Sequence, residues 1–537
     1  MTTFFILLGV LLVVLLGMTI YDITQRKHAI LRNFPVIGHF RYWLEAIGPE
    51  LRQYIVTSNN EERPFSRDQR RWVYASSKRE NNYFGFGTDK DIEVATNHLI
   101  VKHSAFPIHD SLPGEPFYDP EFHIPCAKVM GGSRGRRHAF RPRSIVNISG
   151  MSFGSLSGPA IEALNRGARL SHCLHNSGEG SVTPYHAQGG DLIYQIGTAY
   201  FGCRDAYGRF DMDRLKALTD AYPVKAIEVK LSQGAKPGVG GLLPAGKITK
   251  EISEIRGIPM GQDCASPSSH REFNDVDSML DFVERIADAT GLPVGIKSAV
   301  GEMAFWRTLV DQMASTERGV DFISIDGGEG GTGAAPLVFT DHVALPFKIG
   351  FSRVYREFVE AGLQDKVLFN GSGKLGFPES ALFALAMGCD TISVAREAML
   401  ALGCIQAQRC HTGHCPAGVA TQNAWLARGL DASLKSVRVA NYIVTLRKEL
   451  LRLSRACGVQ HPALVTLEYF DILDAGMQAI PARKLFEPWG DWGLPSAEDQ
   501  ATIIKMMTSS PEMREAMINE ALPADKRSES KSTMSVG

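Results

Sequence analysis

No stretch of this 537-residue chain is strongly basic or acidic. Lys and Arg number 57 against 58 Asp and Glu, the net charge is −1, and the basic residues are spread along the chain. That excludes the clustered positive face that a nucleic-acid partner requires. A low-complexity core is missing too: 44% hydrophobic and 21% charged is the composition of a globular protein. Cysteine is scarce and odd in number, nine in all, which excludes a disulfide framework in a chain this large. Six of the nine (Cys126, Cys173, Cys203, Cys264, Cys389 and Cys457) are scattered and read as small buried hydrophobes. After the first 21 residues there is no further apolar run long enough to cross a bilayer. The length leaves room for one large domain with additions, or for three ordinary ones.

What the chain does have begins at residues 4–21, FFILLGVLLVVLLGMTIY, without a charge. At ~1.5 Å per residue this covers about 27 Å, close to the ~30 Å hydrocarbon core. A cleaved signal peptide would need a basic start and a small-residue cleavage site. The start is MTTFF and the run ends in Tyr21-Asp22, so an uncleaved single-pass anchor is predicted. Arg26, Lys27, Arg32 and Arg41 follow it, which places the C-terminal bulk in the cytoplasm at the cell membrane. Residues 23–140 are mixed and weakly periodic. The tail from Pro523 is polar and is expected to be disordered.

Between them, short apolar runs recur, each ending in Gly, Ser or a polar residue: 144–149, 173–177, 194–198, 226–231, 293–298, 322–327, 367–371 and 391–395. Several precede a stretch of helical periodicity, such as the one from Pro378 to Gly388 with Pro at its start and Gly at its end. Eight strand–helix repeats predict an α/β fold, a (β/α)8 TIM barrel over 141–430. Continuous apolar runs suit a parallel sheet buried on both faces. The long gap between the fourth and fifth runs predicts an insertion at the catalytic face. A helical region is expected over 431–522.

The strongest local signal is Cys404-x5-Cys410-x4-Cys415. Thiolates suit iron–sulfur clusters or zinc. His411 and His414 lie inside the loop and keep zinc open, but C-x2-C arms are lacking. Three thiolates suggest a three-iron cluster, or a four-iron one with a non-Cys ligand.

A second signal is anionic. Gly371-Ser372-Gly373 follows the seventh run and Ala395-Arg396 the eighth, where barrels of this class bind phosphate. GSGKLG (371–376) matches a dinucleotide fingerprint, yet six preceding repeats argue against a Rossmann start, so FMN fits better than NAD. Gly327-Gly328 and Gly330-Gly331 predict close approach of a ligand or another backbone. Lys236 stands in a Gly-rich loop after the fourth run and can hold an anionic substrate, although taken singly it reads as a solvated surface Lys. Lys297 ends the fifth run, where it can face the flavin and stabilise its reduced anion.

Five stretches carry a resemblance: SGMSFGSLS (149–157), NSGEG (176–180), QGAKPG (233–238), GGTGAAP (330–336) and CHTGHCPAGVATQ (410–422). Together they resemble the FMN-binding, iron–sulfur synthase domain of glutamate synthases. The resemblance implies FMN in the barrel, a 3Fe-4S cluster on Cys404, Cys410 and Cys415, and reductive amination of 2-oxoglutarate to glutamate. It implies that Gln233, Lys236 and Arg256 hold the substrate carboxylates, and that Glu179 lies near flavin and cluster. Glu179 and Lys236 are thus the catalytic candidates, and Met151, Ser152, Gln195 and Lys297 match flavin contacts. Val239 and Leu242 stand where that family usually has an acid and an amide, which opens the site to a related 2-oxo acid. With no glutamine-hydrolysing segment, ammonia is expected to arrive free, from a partner, or from an amine donor. With no second nucleotide domain, a reductase or ferredoxin is expected as electron donor. The alternative reading is a membrane-bound FMN/iron–sulfur electron-transfer subunit without amination. An FMN-barrel oxidoreductase acting on a 2-hydroxy acid needs no cluster, which weighs against it.

Overall fold

Eight short parallel strands close into a barrel in a computed structural model that describes residues 2–83, 85–476, 478–486 and 492–520. They are β1 (Val146–Ile148), β2 (His175–Asn176), β3 (Leu192–Ile196), β4 (Val224–Lys230), β5 (Val294–Ser298), β6 (Phe322–Asp326), β7 (Leu368–Ser372) and β8 (Thr391–Val394). Each lies in or beside one of the eight predicted runs, and β8 pairs back onto β1 through Ile392–Val146. The insertion between β4 and β5 is present. It carries a two-stranded antiparallel ribbon, Leu242–Leu243 with Cys264–Ala265, and the helix Lys250–Arg256.

The barrel interior departs from the expected apolar runs. Strand side chains alternate between two faces. The outer set, including Ile227, Val229, Ile296, Ile323, Phe369 and Ile392, is apolar and fully buried against the helices. The inner set is polar. Glu228 accepts from Asn176 (2.8 Å), Gln195 (2.6 Å) and Ser324 (2.6 Å). Asn370 donates to the Ser324 hydroxyl (3.0 Å) and accepts from Thr391 (3.0 Å) and Ser393 (3.1 Å). One network therefore joins β2, β3, β4, β6, β7 and β8 across the barrel.

The helices follow local signals. Val276–Thr290 starts at Asp275, which accepts the Ser278 N–H at 2.8 Å, and stops at Gly291 in the left-handed region (φ 73°). The predicted helix at Pro378 runs to Ala386, and Gly388 follows at φ 114°. The C-terminal region holds the long helix Ala432–Ala456, but also two strands, Phe470–Leu473 and Ala479–Pro481, which form a small sheet with His98–Val101. The tail from Pro523 lies outside the described residues.

The chain divides into two compact units, Met1–Arg70 and Arg71–Gly537. In the first, Thr2–Thr24 is a single helix long and apolar enough to cross a membrane, a test that a signal sequence also passes. At its end the buried Asp22 accepts the Val36 N–H and pairs with His39 Nε2, each at 2.9 Å, turning the chain back on itself.

Two buried histidines make the second unit acid-sensitive. Burial pushes His186 and His461 down to about 4. His461 Nδ1 accepts the Ala463 N–H (3.0 Å) and Nε2 donates to the Pro125 carbonyl (2.9 Å), which requires the neutral ring. A folded-state pKa below the unfolded value of about 6.5 gives stability that is present above that pH and lost as pH falls through about 4. The melting temperature should therefore drop between about pH 7 and about pH 4.5. His461→Gln should flatten that drop, and an unchanged slope in the variant contradicts this assignment.

Candidate functional site

The C-terminal ends of the strands gather most of the charged candidates in one place. Lys230, the last residue of β4, lies 3.1 Å from Glu179 and donates to Gln233 Oε1 at 2.5 Å. Lys297 of β5 faces Asp326 of β6 at 3.6 Å, and Asp326 accepts the Gly234 N–H at 2.9 Å. Lys236 is buried, not solvated, and donates to the Gly240 carbonyl at 2.7 Å. Arg256 is buried and donates to the Phe153 carbonyl (2.6 Å) and the Ser152 hydroxyl (3.5 Å), with its guanidinium over the Phe201 ring. Its Nε is buried and has no acceptor in the protein. Gly180 and Gly154 admit this guanidinium: a Cβ would stand 2.6 and 2.9 Å from Nη2. The second guanidinium, Arg204, donates to the Arg256 and Gly257 carbonyls and fixes the end of that helix.

The protonation states follow from these neighbours. Burial raises the Glu179 pKa, but Lys230, then Lys236 and Arg256, outweigh it and hold the carboxylate below its usual range. Burial alone would discharge Lys297; Asp326 and Glu228 more than offset it and raise its pKa. Asp326 is likewise held low against burial by Lys297 and the Gly234 N–H. Burial lowers Lys236 and Arg256. Four cations (Lys230, Lys236, Lys297 and Arg256) face three carboxylates (Glu179, Asp326 and Glu228) here, an arrangement with capacity left for an anion.

Glycines set the shape of this mouth. At Gly234 a Cβ would lie 1.8 Å from the Gly327 carbonyl oxygen, so the substrate loop rests directly on the loop after β6. Gly234→Ala must separate the two loops, at about 1–3 kcal/mol. Gly246, where a Cβ meets nothing within 4 Å, is the control. The melting temperature should fall by about 1–3 °C in Gly234→Ala and stay put in Gly246→Ala. Equal values in the two variants contradict the contact.

Other predicted glycines lie close against their neighbours. Gly371 points outward, where a Cβ would meet Cys389, Phe347 and Leu375, and Gly328 backs onto the Ala344 carbonyl. Gly327 leaves room for Glu329, which accepts the Phe347 N–H. Ser372 is buried beside Gly373 (φ 128°). The helix Arg396–Leu402 begins at Ala395, whose side chain makes no capping hydrogen bond. Arg396 itself donates to the Glu329 carbonyl. Gln195 is held by Glu228, and Met151 is buried two residues before Phe153. The residues suit a flavin mononucleotide: N–H donors at a helix start for its phosphate, and Lys297 among the inward-facing groups.

The cysteine loop lies beside this mouth. Gly333 packs on Cys410, and buried Lys247 donates to the Cys410 carbonyl at 2.6 Å. The Tyr74 hydroxyl donates to the Cys404 carbonyl at 2.6 Å. Burial, then neighbouring Cys415, raises the Cys410 pKa. Among the described residues, the one His/Cys/Asp/Glu group whose ligand atoms all lie within 4.8 Å of one another is Glu121, His123 and His172.

Reading the sequence missed Lys230, Glu228, Asp326 and Lys247 as site residues. The first three occupy alternate, inward positions of their strands, a parity that was available in the runs AIEVKL and FISIDG. Lys247 has no local signal. Val239 and Leu242 are both partly exposed.

Comparison with known proteins matches residues 133–460 to the family described as the conserved region in glutamate synthase. The chain is 36% identical over 479 residues to the glutamate synthase large subunit-like protein YerD of Bacillus subtilis, covering 84% of this chain and 91% of that one. It is 33% identical over 317 residues to the archaeal glutamate synthase [NADPH] of Methanocaldococcus jannaschii, covering 58% and 59%. Among solved structures, mandelate oxidase aligns with a TM-score of 0.40 and 17% identity over 68% of this chain and 84% of that one. With a closed eight-stranded barrel and a family match spanning it, the chain belongs to the glutamate synthase family and is an oxidoreductase of that type.

Proposed function

We propose that this protein reductively aminates 2-oxoglutarate, or a closely related 2-oxo acid, to the amino acid. The observation that carries the reading is Arg256: a buried guanidinium at the barrel mouth with an unused Nε donor, which shares Glu179 as a charge neighbour with buried Lys236. A dicarboxylate supplies the acceptor that Arg256 Nε lacks and can take a further N–H of Lys236, Arg pairing in forked geometry and Lys as a point charge. When bound, FMN supplies hydride to the substrate carbon and a 3Fe-4S cluster supplies single electrons, chemistry that belongs to the cofactors.

The residues do the rest. Ser372, Gly373 and the start of the helix at Arg396 would hold the FMN phosphate, with Met151, Ser152 and Gln195 along the ring. Lys297 keeps its charge next to Asp326 and can stabilise negative charge that develops on a neighbouring ring. Glu179, ionised and tied to Lys230, can hold the nitrogen partner or take its proton. Cys404, Cys410 and Cys415 would ligate the cluster, and Lys247 lies close enough to temper its charge. Ammonia or an amine donor is the second substrate, and a reductase or ferredoxin the electron source. The apolar helix Thr2–Thr24 would anchor the chain in the cell membrane, with the barrel on the cytoplasmic side.

Purified protein should contain FMN and about three irons per chain. Cys410→Ala should lose the iron and keep the flavin. Zinc in place of iron, or iron retained in Cys410→Ala, speaks against the cluster.

A further inference from the structure

On the opposite, N-terminal face of the barrel, three side chains from distant parts of the sequence converge. Glu121 and His123 precede the first barrel strand, and His172 ends the helix Gly158–Ser171, three residues before β2. His123 Nε2 lies 3.1 Å from Glu121 Oε2, and His172 Nε2 lies 3.7 Å from the same oxygen. Tetrahedral ligand atoms on metal bonds of ~2.0–2.1 Å stand about 3.4 Å apart, between these two distances.

Hydrogen bonding leaves this oxygen unexplained. Glu121 Oε2 is buried and makes no hydrogen bond, although the imidazole nitrogen is near. The other nitrogen of His123, Nδ1, is 3.0 Å from Asp119 Oδ2. With Nδ1 turned to Asp119, Nε2 is the nitrogen that faces Glu121, and together with His172 Nε2 it brackets the same carboxylate oxygen, the placement of three ligand atoms around one cation. A carboxylate on the outer nitrogen is what orients and strengthens a metal-ligating histidine.

The surroundings hold the ligands in place. Asp119 accepts from Arg514 at 2.8 Å and from the backbone N–H groups of Glu121 and His123, each at 2.9 Å. Arg447, fully buried, donates to the Glu121 and Ser171 carbonyls, each at 2.8 Å, and so ties the two ligand-bearing segments together. Phe122 and His172 both adopt left-handed backbone (φ 50° and 53°); at Phe122 this turns Glu121 and His123 to one side.

The geometry points to a zinc-class divalent metal site formed by Glu121, His123 and His172, with Asp119 as the orienting carboxylate of His123. One Glu and two His leave a fourth position to water, as Glu121 and His172 are both about half exposed. Lying on the face remote from the barrel mouth, the ion cross-links the segment before β1 to the helix end before β2.

The test uses the full-length protein in detergent, titrated with Co2+. About one saturable equivalent should bind with imidazole–carboxylate d–d absorption and no thiolate-to-cobalt charge transfer at that site. His172→Asn keeps a residue that accepts left-handed backbone and should weaken this uptake at least tenfold with the flavin spectrum unchanged. Cys410→Ser should leave it intact. Absence of saturable uptake, uptake unchanged in His172→Asn, or uptake lost in Cys410→Ser overturns the assignment.

Discussion

Arg256→Ala should lower kcat/KM for 2-oxoglutarate by about 100- to 1,000-fold, almost all of it through KM. The guanidinium is buried, its pKa is lowered by that burial, and its Nε has no acceptor in the protein. Losing one partner of a buried, hydrogen-bonded charge pair costs about 2–5 kcal/mol, and each ~1.4 kcal/mol is tenfold. Arg256→Lys should fall between, because a point charge at this depth pairs one oxygen where the fork pairs two. The substitution also frees the Phe153 carbonyl, so some loss of stability accompanies it. The discriminating readout is therefore the split between substrates: KM for the 2-oxo acid rises while KM for ammonium holds. A uniform fall in kcat with both KM values intact removes Arg256 from the substrate site.

Glu228→Ala should be the most destabilising substitution in the barrel. Its carboxylate accepts three hydrogen bonds, and truncation leaves Asn176, Gln195 and Ser324 with buried donors facing a void. An unsatisfied buried donor costs about 1–3 kcal/mol, so the total is on the order of 4 kcal/mol or more. Gln195, proposed to line the flavin, also loses what orients it. Chemical denaturation should show the shift in midpoint, and flavin content should fall with it. Glu228→Gln keeps the volume and two acceptor positions and should lose about half as much. A Glu228→Ala protein of wild-type stability contradicts the network.

Much of this architecture was readable in the chain. All eight barrel strands lie in or beside the apolar runs, because a strand packed under helices must be apolar on its outer face. The insertion between β4 and β5 showed as a gap in the rhythm. What went unused in the runs was their parity. Asn370 faces inward and Gly371 outward, where a Cβ would meet Cys389 and Phe347. Glu228 hid inside AIEVKL for the same reason: a single acid in an apolar run attracts little weight until its alternate neighbours, Ala226 and Lys230, are seen to share its face. Burial of Lys236 was equally hidden, since a Gly-rich loop reads as solvated and only the close contact of Gly234 with Gly327 draws it in. Glu121, His123 and His172 form no local motif, because the helix between them closes the distance in space and not in sequence.

The family assignment rests on a match that spans the barrel, and the proposed substrate rests on Arg256 and Lys236. The most direct measurement is anaerobic: the enzyme is reduced, mixed with 2-oxoglutarate and ammonium together, and the flavin absorbance is followed while the product is assayed. The flavin should reoxidise only when both are present, with about one glutamate formed per flavin. A flavin that stays reduced with this pair, and with other 2-oxo acids plus ammonium, contradicts reductive amination.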